Sequence, residues 1–138
     1  REKVSLLQIL EQIRRYMLQT LLPSARRVTI HVGGEDVIVS ADCASSVALV
    51  VNELVQNALK YAFPSGQAGR IGIELHSGRP LCQLTVWDNG VGFQADRPRP
   101  GGAGLELAST IVREKLTGEW SVESGPGGTR ISFDFLEQ

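Results

Sequence analysis

Apolar residues recur at positions 6, 9, 10, 13, 17 and 21, the three-to-four spacing of a helix with one buried face. This predicts a first helix over residues 4–22, closed by Pro23. The period then drops to two. Val28, Ile30 and Val32 share one face of a strand, and Gly33-Gly34 reads as the turn into a second strand over 37–39, so 28–39 is expected to be a hairpin. Helical spacing returns over residues 44–63, with Asp42 as the expected N-cap and Pro64-Ser65-Gly66 as the stop. Two alternating strands follow at 70–76 and 81–87, joined by Ser77-Gly78-Arg79-Pro80 and expected to be neighbours.

Residues 88–104 are rich in glycine and proline and read as a long loop. Leu105, Ala108, Ile111, Val112 and Leu116 then mark a third helix, with Gly118 where a helix would end. Strands at 120–123 and 129–136 close the chain, joined by SGPGG. Paired strands with helices between them predict an α/β two-layer sandwich, a mixed and mainly antiparallel sheet with helices on one face.

Composition narrows the picture only slightly. A chain of 138 residues with 42% hydrophobic and 21% charged residues suits one domain over 1–138, a leading helix (1–23) followed by a core (24–138). A net charge of −1 gives no bulk reason to expect nucleic acid or an anionic membrane surface, so any charged ligand must be bound locally. Cys43 and Cys82 lie far apart with no metal-ligand spacing around them, which reads as two free thiols in a reducing, cytoplasmic setting. No apolar run is long enough to span a membrane. The chain begins at Arg1 rather than a methionine, which suggests a piece of a longer protein.

The second helix carries the first candidate chemistry. At about 100° per residue, Val47, Val50, Val51, Leu54, Val55, Ala58, Leu59 and Ala62 fill one continuous arc. Glu53, Asn57, Lys60 and Tyr61 stack as a ridge outside it. Such a ridge is either a solvated face or the wall of a cleft. In the second case the Asn57 carbonyl oxygen suits a divalent metal, Lys60 suits phosphate, and Glu53 suits orienting or deprotonating a nucleophile.

Two glycine-flanked boxes bear on that choice. VWDNGVGF, residues 86–93, ends a strand in a carboxylate and a G-x-G turn. Asn89-Gly90 can be no more than a turn pair. A buried Asp88 would also accept a hydrogen bond from an exocyclic amine such as adenine N6 and repel the O6 of guanine, with Gly90 and Gly92 allowing close approach of the backbone. GGAGLELAS, residues 101–109, leads through Gly102 and Gly104 into a helix, whose free N–H groups and positive dipole end suit phosphate oxygens.

The three boxes together resemble the GHKL superfamily of gyrase, mismatch-repair ATPases and histidine kinase catalytic domains. NELVQNALKYA is similar to its N box, DNGVGF to its first glycine box, GGAGLELA to its second and GPGGTRISFDF to its closing strands, covering about residues 28–136. The wording NELVQNALKYAF is most similar to the ATP-binding domain of bacterial sensor histidine kinases. The resemblance implies a Bergerat-type ATP-binding fold and Mg²⁺-ATP as ligand. It further implies Asn57 on Mg²⁺, Lys60 on phosphate, Tyr61 on the adenine, and Asp88 on adenine N6 with Gly90 and Gly92 beside the base. Gly102, Gly104 and Leu105 would lie along the nucleotide, and Thr129 would assist Asp88 through a water. Glu53 and Lys60 would serve the transfer itself.

The family's phosphate acceptor, a histidine on a dimerisation domain, has no counterpart here. His31 and His76 fall on the outer faces of predicted strands. The implied partners are therefore a dimerisation domain outside this chain and, downstream, a response regulator, with no nucleic acid and no direct membrane contact. The lid, residues 94–101, is short, and Arg97 and Arg99 within it are candidate γ-phosphate contacts or solvated loop residues. An anti-sigma-factor serine kinase and a non-catalytic nucleotide-binding module share the boxes and are the rival readings.

Overall fold

The computed structural model describes residues 2–20, 27–64, 66–93 and 103–137. The elements run β1 (Lys3–Ser5), α1 (Leu6–Thr20), β2 (Val28–Gly34), β3 (Ile38–Ser40), α2 (Ala41–Tyr61), β4 (Gly69–His76), β5 (Leu81–Asp88), α3 (Ala103–Glu114), β6 (Trp120–Gly125) and β7 (Gly128–Leu136). Five strands form one sheet in the order β2-β4-β5-β7-β6, and β1 pairs with β3 in a small second sheet.

One face of the large sheet is apolar and the other is wet, because side chains alternate along each strand. Ile30, Ile71, Ile73, Leu84, Val86, Ile131 and Phe133 point inward and are buried with Leu10 and Met17 of α1, Val47 and Leu54 of α2, and Val112 of α3. Thr29, His31, Arg70, Gln83 and Arg130 lie on the opposite face and are exposed. The two-layer sandwich expected from the sequence is the observed architecture. Cys43 and Cys82 are free and buried, and burial pushes both thiols above their ordinary range.

Four local expectations are corrected. Residues 28–39 are not a hairpin: β2 pairs in parallel with β4, from Val28↔Gly69 to Gly34↔Leu75, while β3 pairs antiparallel with β1. A parallel pair needs a crossover, and α2 supplies it. Gly34 has φ +110°, and a Cβ there would stand 1.9 Å from the Leu75 carbonyl oxygen. The glycine thus turns the chain out of the sheet. What draws 36–40 away is the start of α1. Asp36 accepts hydrogen bonds from Ser5 Oγ (2.7 Å) and Leu7 N–H (3.0 Å), and Leu6 N–H donates to the Val37 carbonyl (3.0 Å).

For the same reason Val4 lies in β1 rather than in the first helix, and Ser5 Oγ accepts from Gln8 N–H at 3.2 Å. The N-cap of α2 is Ser40, whose side chain accepts from Cys43 N–H (3.1 Å), while Asp42 falls inside the first turn. There its charge still complements the helix dipole. At the end of α3 it is Thr117, with φ 53°, that takes the left-handed conformation in place of Gly118. Gly118 instead packs so closely on β7 that a Cβ would meet the Asp134 carbonyl at 1.7 Å.

Candidate functional site

The inner, carboxyl-terminal end of β5, the last turns of α2 and the start of α3 converge on one side of the sheet. The apolar arc of α2 is buried throughout, as its spacing requires. The ridge divides by depth: Asn57 is only 6% exposed, Glu53 and Tyr61 are half-buried, and Lys60 is exposed. Burying an amide is unfavourable unless it is paired. Asn57 Oδ1 nonetheless has no hydrogen-bond partner among the described residues. A buried acceptor left open calls for an explanation, and a water, an ion or a ligand meeting it would each supply one.

Asn57 and Glu53 meet the second glycine box at Gly104. A Cβ on Gly104 would lie 2.8 Å from Glu53 Oε2 and 3.9 Å from Asn57 Nδ2, so the glycine lets both side chains reach the first turn of α3. Leu105 is half-buried and packs against the core. Gly102, the lid 94–101 with Arg97 and Arg99, and Pro23 lie outside the described residues. Among the described residues no cluster of three His, Cys, Asp or Glu could hold a metal.

Asp88, 8% exposed, ends β5, and its Oδ1 accepts from Gly90 N–H at 2.9 Å. The turn it opens is tied down on both sides. Asn89 Oδ1 accepts from Arg70 N–H (2.7 Å), and Val91 N–H donates to the Ala62 carbonyl at the end of α2 (2.9 Å). The glycines of this box are required by protein neighbours. A Cβ on Gly90 would meet the Ala62 carbonyl oxygen at 2.2 Å, and one on Gly92, at φ +71°, would meet the Gly125 carbonyl oxygen at 1.9 Å. These close contacts hold Asp88 beside the carboxyl end of α2, where Lys60 and Tyr61 sit.

Thr129, 4% exposed, faces Asp88 directly in the β5–β7 register. Its Oγ1 lies 2.7 Å from Ser124 Oγ, which accepts from Phe93 N–H at 2.8 Å. Ser124 was not among the residues expected from the sequence. The signal for it is the tight Pro126-Gly127 turn, which places Ser124 opposite Thr129 in the β6–β7 hairpin. A groove of about 540 Å³ passes Asp88, Ser124 and Thr129 and runs over the Gly125–Gly128 turn to Trp87 and Arg130. His31 and His76 are exposed on the far face of the sheet. No helix among the described residues is long and apolar enough to cross a membrane.

Known proteins resemble the chain in sequence and in fold. The chain is 36% identical over 116 residues to the swarming motility regulation sensor protein RssA of Serratia marcescens, covering 73% of the chain and 24% of that protein. It is 31% identical over 112 residues to blue-light-activated histidine kinase 2 of Erythrobacter litoralis, covering 78% of the chain and 32% of that protein. In fold it matches the solved structure of the Erythrobacter litoralis EL346 blue-light activated histidine kinase, with a TM-score of 0.86 and 24% identity over 97% of the chain and 42% of that one. The chain spans no more than about a third of the length of these curated relatives. The family model described as histidine kinase-, DNA gyrase B- and HSP90-like ATPase matches residues 43–138, most of the chain, and the chain belongs to that family.

Proposed function

We propose that this chain is the ATP-binding catalytic part of a sensor histidine kinase, delivering the γ-phosphate of ATP to a histidine on a dimerisation domain outside the chain. The observation that carries the reading is the buried, unpartnered Oδ1 of Asn57 beside Glu53 at the glycine that opens α3. A solvated face would not bury that amide, and a purely structural one would pair it.

Asp88 accepts the adenine N6–H, with Thr129 beside it, and Tyr61 packs on the base. Lys60, exposed at the last turn of α2, reaches the phosphates, and the first turn of α3 offers them its N–H groups. Asn57 Oδ1 would hold Mg²⁺, which when bound would supply charge neutralisation for the transferred phosphoryl group. Glu53 orients the incoming imidazole and accepts its proton as the ring nitrogen bonds to the γ-phosphorus and the bridging oxygen leaves with ADP. The residues of this chain therefore position and neutralise.

A reaction fed by ATP belongs in the cytoplasm, and the phosphohistidine formed would then supply the aspartate of a response regulator. The test is to incubate the chain with γ-labelled ATP, with and without its own dimerisation domain, and to expose the product to acid. We expect weak self-labelling alone and acid-labile, alkali-stable label on the added domain. Acid-stable label would make the chain a serine kinase, and ATP binding with no transfer to either partner would make it a nucleotide-binding module.

A further inference from the structure

We infer that a slot on the open face of the sheet, between Trp87 and Glu74, is a docking site for an arginine side chain presented by a partner protein. It lies on the face opposite the helices and does not depend on how a nucleotide is held.

Glycine makes the slot. In the parallel pair of β2 and β4, His31 stands opposite Gly72 and Gly33 opposite Glu74, and alternation puts all four on the outer face. Two of the four lack a side chain, which leaves a cavity of about 240 Å³ bounded by His31, Gly33, Gly72, Glu74, His76 and Trp87. The two glycines serve it differently. A Cβ on Gly72 would stand 2.1, 2.2 and 2.4 Å from Cε2, Nε1 and Cζ2 of Trp87, so the indole reaches from β5 across β4 and rests one face on that glycine. A Cβ on Gly33 would meet nothing within 4 Å, so this position keeps the slot open without being needed by any neighbour.

The lining selects charge. Among the described residues Glu74 makes no hydrogen bond, and its one ionic neighbour, His76 Nε2, stands 4.0 Å from its Oε1. No lysine or arginine lines the cavity. Arg70 lies two residues before Gly72 on β4 and Arg130 faces Trp87 from β7, both outside the walls. A carboxylate with free acceptor capacity beside the outward face of an indole favours a cation, through Coulomb attraction and through the negative face of the ring. A guanidinium fits better than an ammonium, because it is planar, stacks on the indole and offers the carboxylate a fork of N–H groups. The cavity is smaller than the roughly 300–1,000 Å³ of small-molecule sites, a size for one side chain rather than a nucleotide. Since β2 is the edge strand, the stem of that side chain can enter over Gly33 and Gly34 from the rim of the sheet.

Capped glycine–arginine–glycine peptide is the probe, with lysine and glutamine in place of arginine as comparisons, followed by NMR on the isotope-labelled chain. The arginine peptide should shift the amides of Gly33 and Gly72 and the indole N–H of Trp87 along one saturating curve. It should bind at least about threefold more tightly than the lysine peptide, and the glutamine peptide should give no saturating shift. Glu74→Gln should weaken arginine binding by about threefold to fivefold. Gly33→Val, which puts a branched side chain into the open space of a strand that tolerates it, should weaken it at least about tenfold. Both variants should keep ATP affinity within about twofold of wild type, since neither residue is near the nucleotide site. No saturating shift, an equal response to the glutamine peptide, or arginine binding unchanged in both variants overturns the inference. So does a loss of arginine binding that comes only with a loss of ATP binding, which would make the slot a structural feature of the sheet.

Discussion

Asn57 and Asn52 are the same residue type on one helix, five positions apart, yet their surroundings differ. Asn52 is half-buried in a groove between α1 and α2 shared with Ile13 and Tyr16, whereas Asn57 is buried with an open acceptor. Asn57→Ala should weaken ATP binding in Mg²⁺ by roughly 10-fold to 100-fold, the loss expected for a contact to charge, and make binding indifferent to the metal. Asn52→Ala should cost less than about threefold. Titration calorimetry with and without Mg²⁺ decides the ranking, and the opposite order would remove Asn57 as ligand. Gly104 offers a second residue-scale test. A Cβ there meets only the flexible end of Glu53, so Gly104→Ala should fold normally yet push the carboxylate aside. We expect ATP affinity within about threefold of wild type and phosphotransfer down about tenfold. Loss of both together would show that the glycine serves binding rather than Glu53.

At the scale of elements, β2 is the strand whose pairing, parallel with β4, departs from its sequence pattern. Its inward and outward residues followed from alternation, but Gly33-Gly34 followed by an apolar run is as good a hairpin signal as any short sequence gives. The parallel partner is decided by contacts at least 29 residues apart in the chain, between Asp36 and the start of α1 and between Gly34 and Leu75. Gly34→Ala should therefore act on β2–β4. With φ +110° and the Leu75 carbonyl in the way, it should destabilise the protein by about 2 kcal/mol or more, read from denaturant unfolding. Gly33→Ala, with open space around it, should cost less than about 1 kcal/mol. For the apolar arc of α2 the sequence was sufficient, because its burial follows from periodicity, whereas the burial of Asn57 on the polar ridge does not.

At the scale of the whole molecule, the contact between the amino-terminal segment and the rest is electrostatic as well as apolar. Burial alone would raise the Asp36 carboxyl, but hydrogen bonds from Ser5 and from the Leu7 and Val37 backbones outweigh it and hold the group below the usual carboxylate range. A depressed folded value means stability that is present above the unfolded value of about 3.9 and lost as pH falls through the folded one. Unfolding followed from about pH 7 to pH 3 should show an acid limb that Asp36→Asn flattens. An unchanged limb in that variant would place the acid sensitivity elsewhere. The same contacts join β1, β3 and α1 to the nucleotide-binding layer, so an Asp36 variant should loosen the α1–α2 groove before the sheet.

The sequence by itself determined the two layers, the buried arc of α2, the three boxes and hence the family, because each rests on local periodicity or on glycine beside a chemical group. Asp88, Asn57 and Glu53 were legible as candidates for that reason, and Thr129 through the family resemblance. Tertiary structure alone decided the parallel pairing of β2, the capping of α2 by Ser40, and the need for Gly90 and Gly92 against Ala62 and Gly125. It also decided that Asn57 is buried with an open acceptor and that Ser124 backs Thr129. These are relations between residues distant along the chain, and no pattern within one segment records which of several compatible neighbours a backbone group or a hydroxyl will meet.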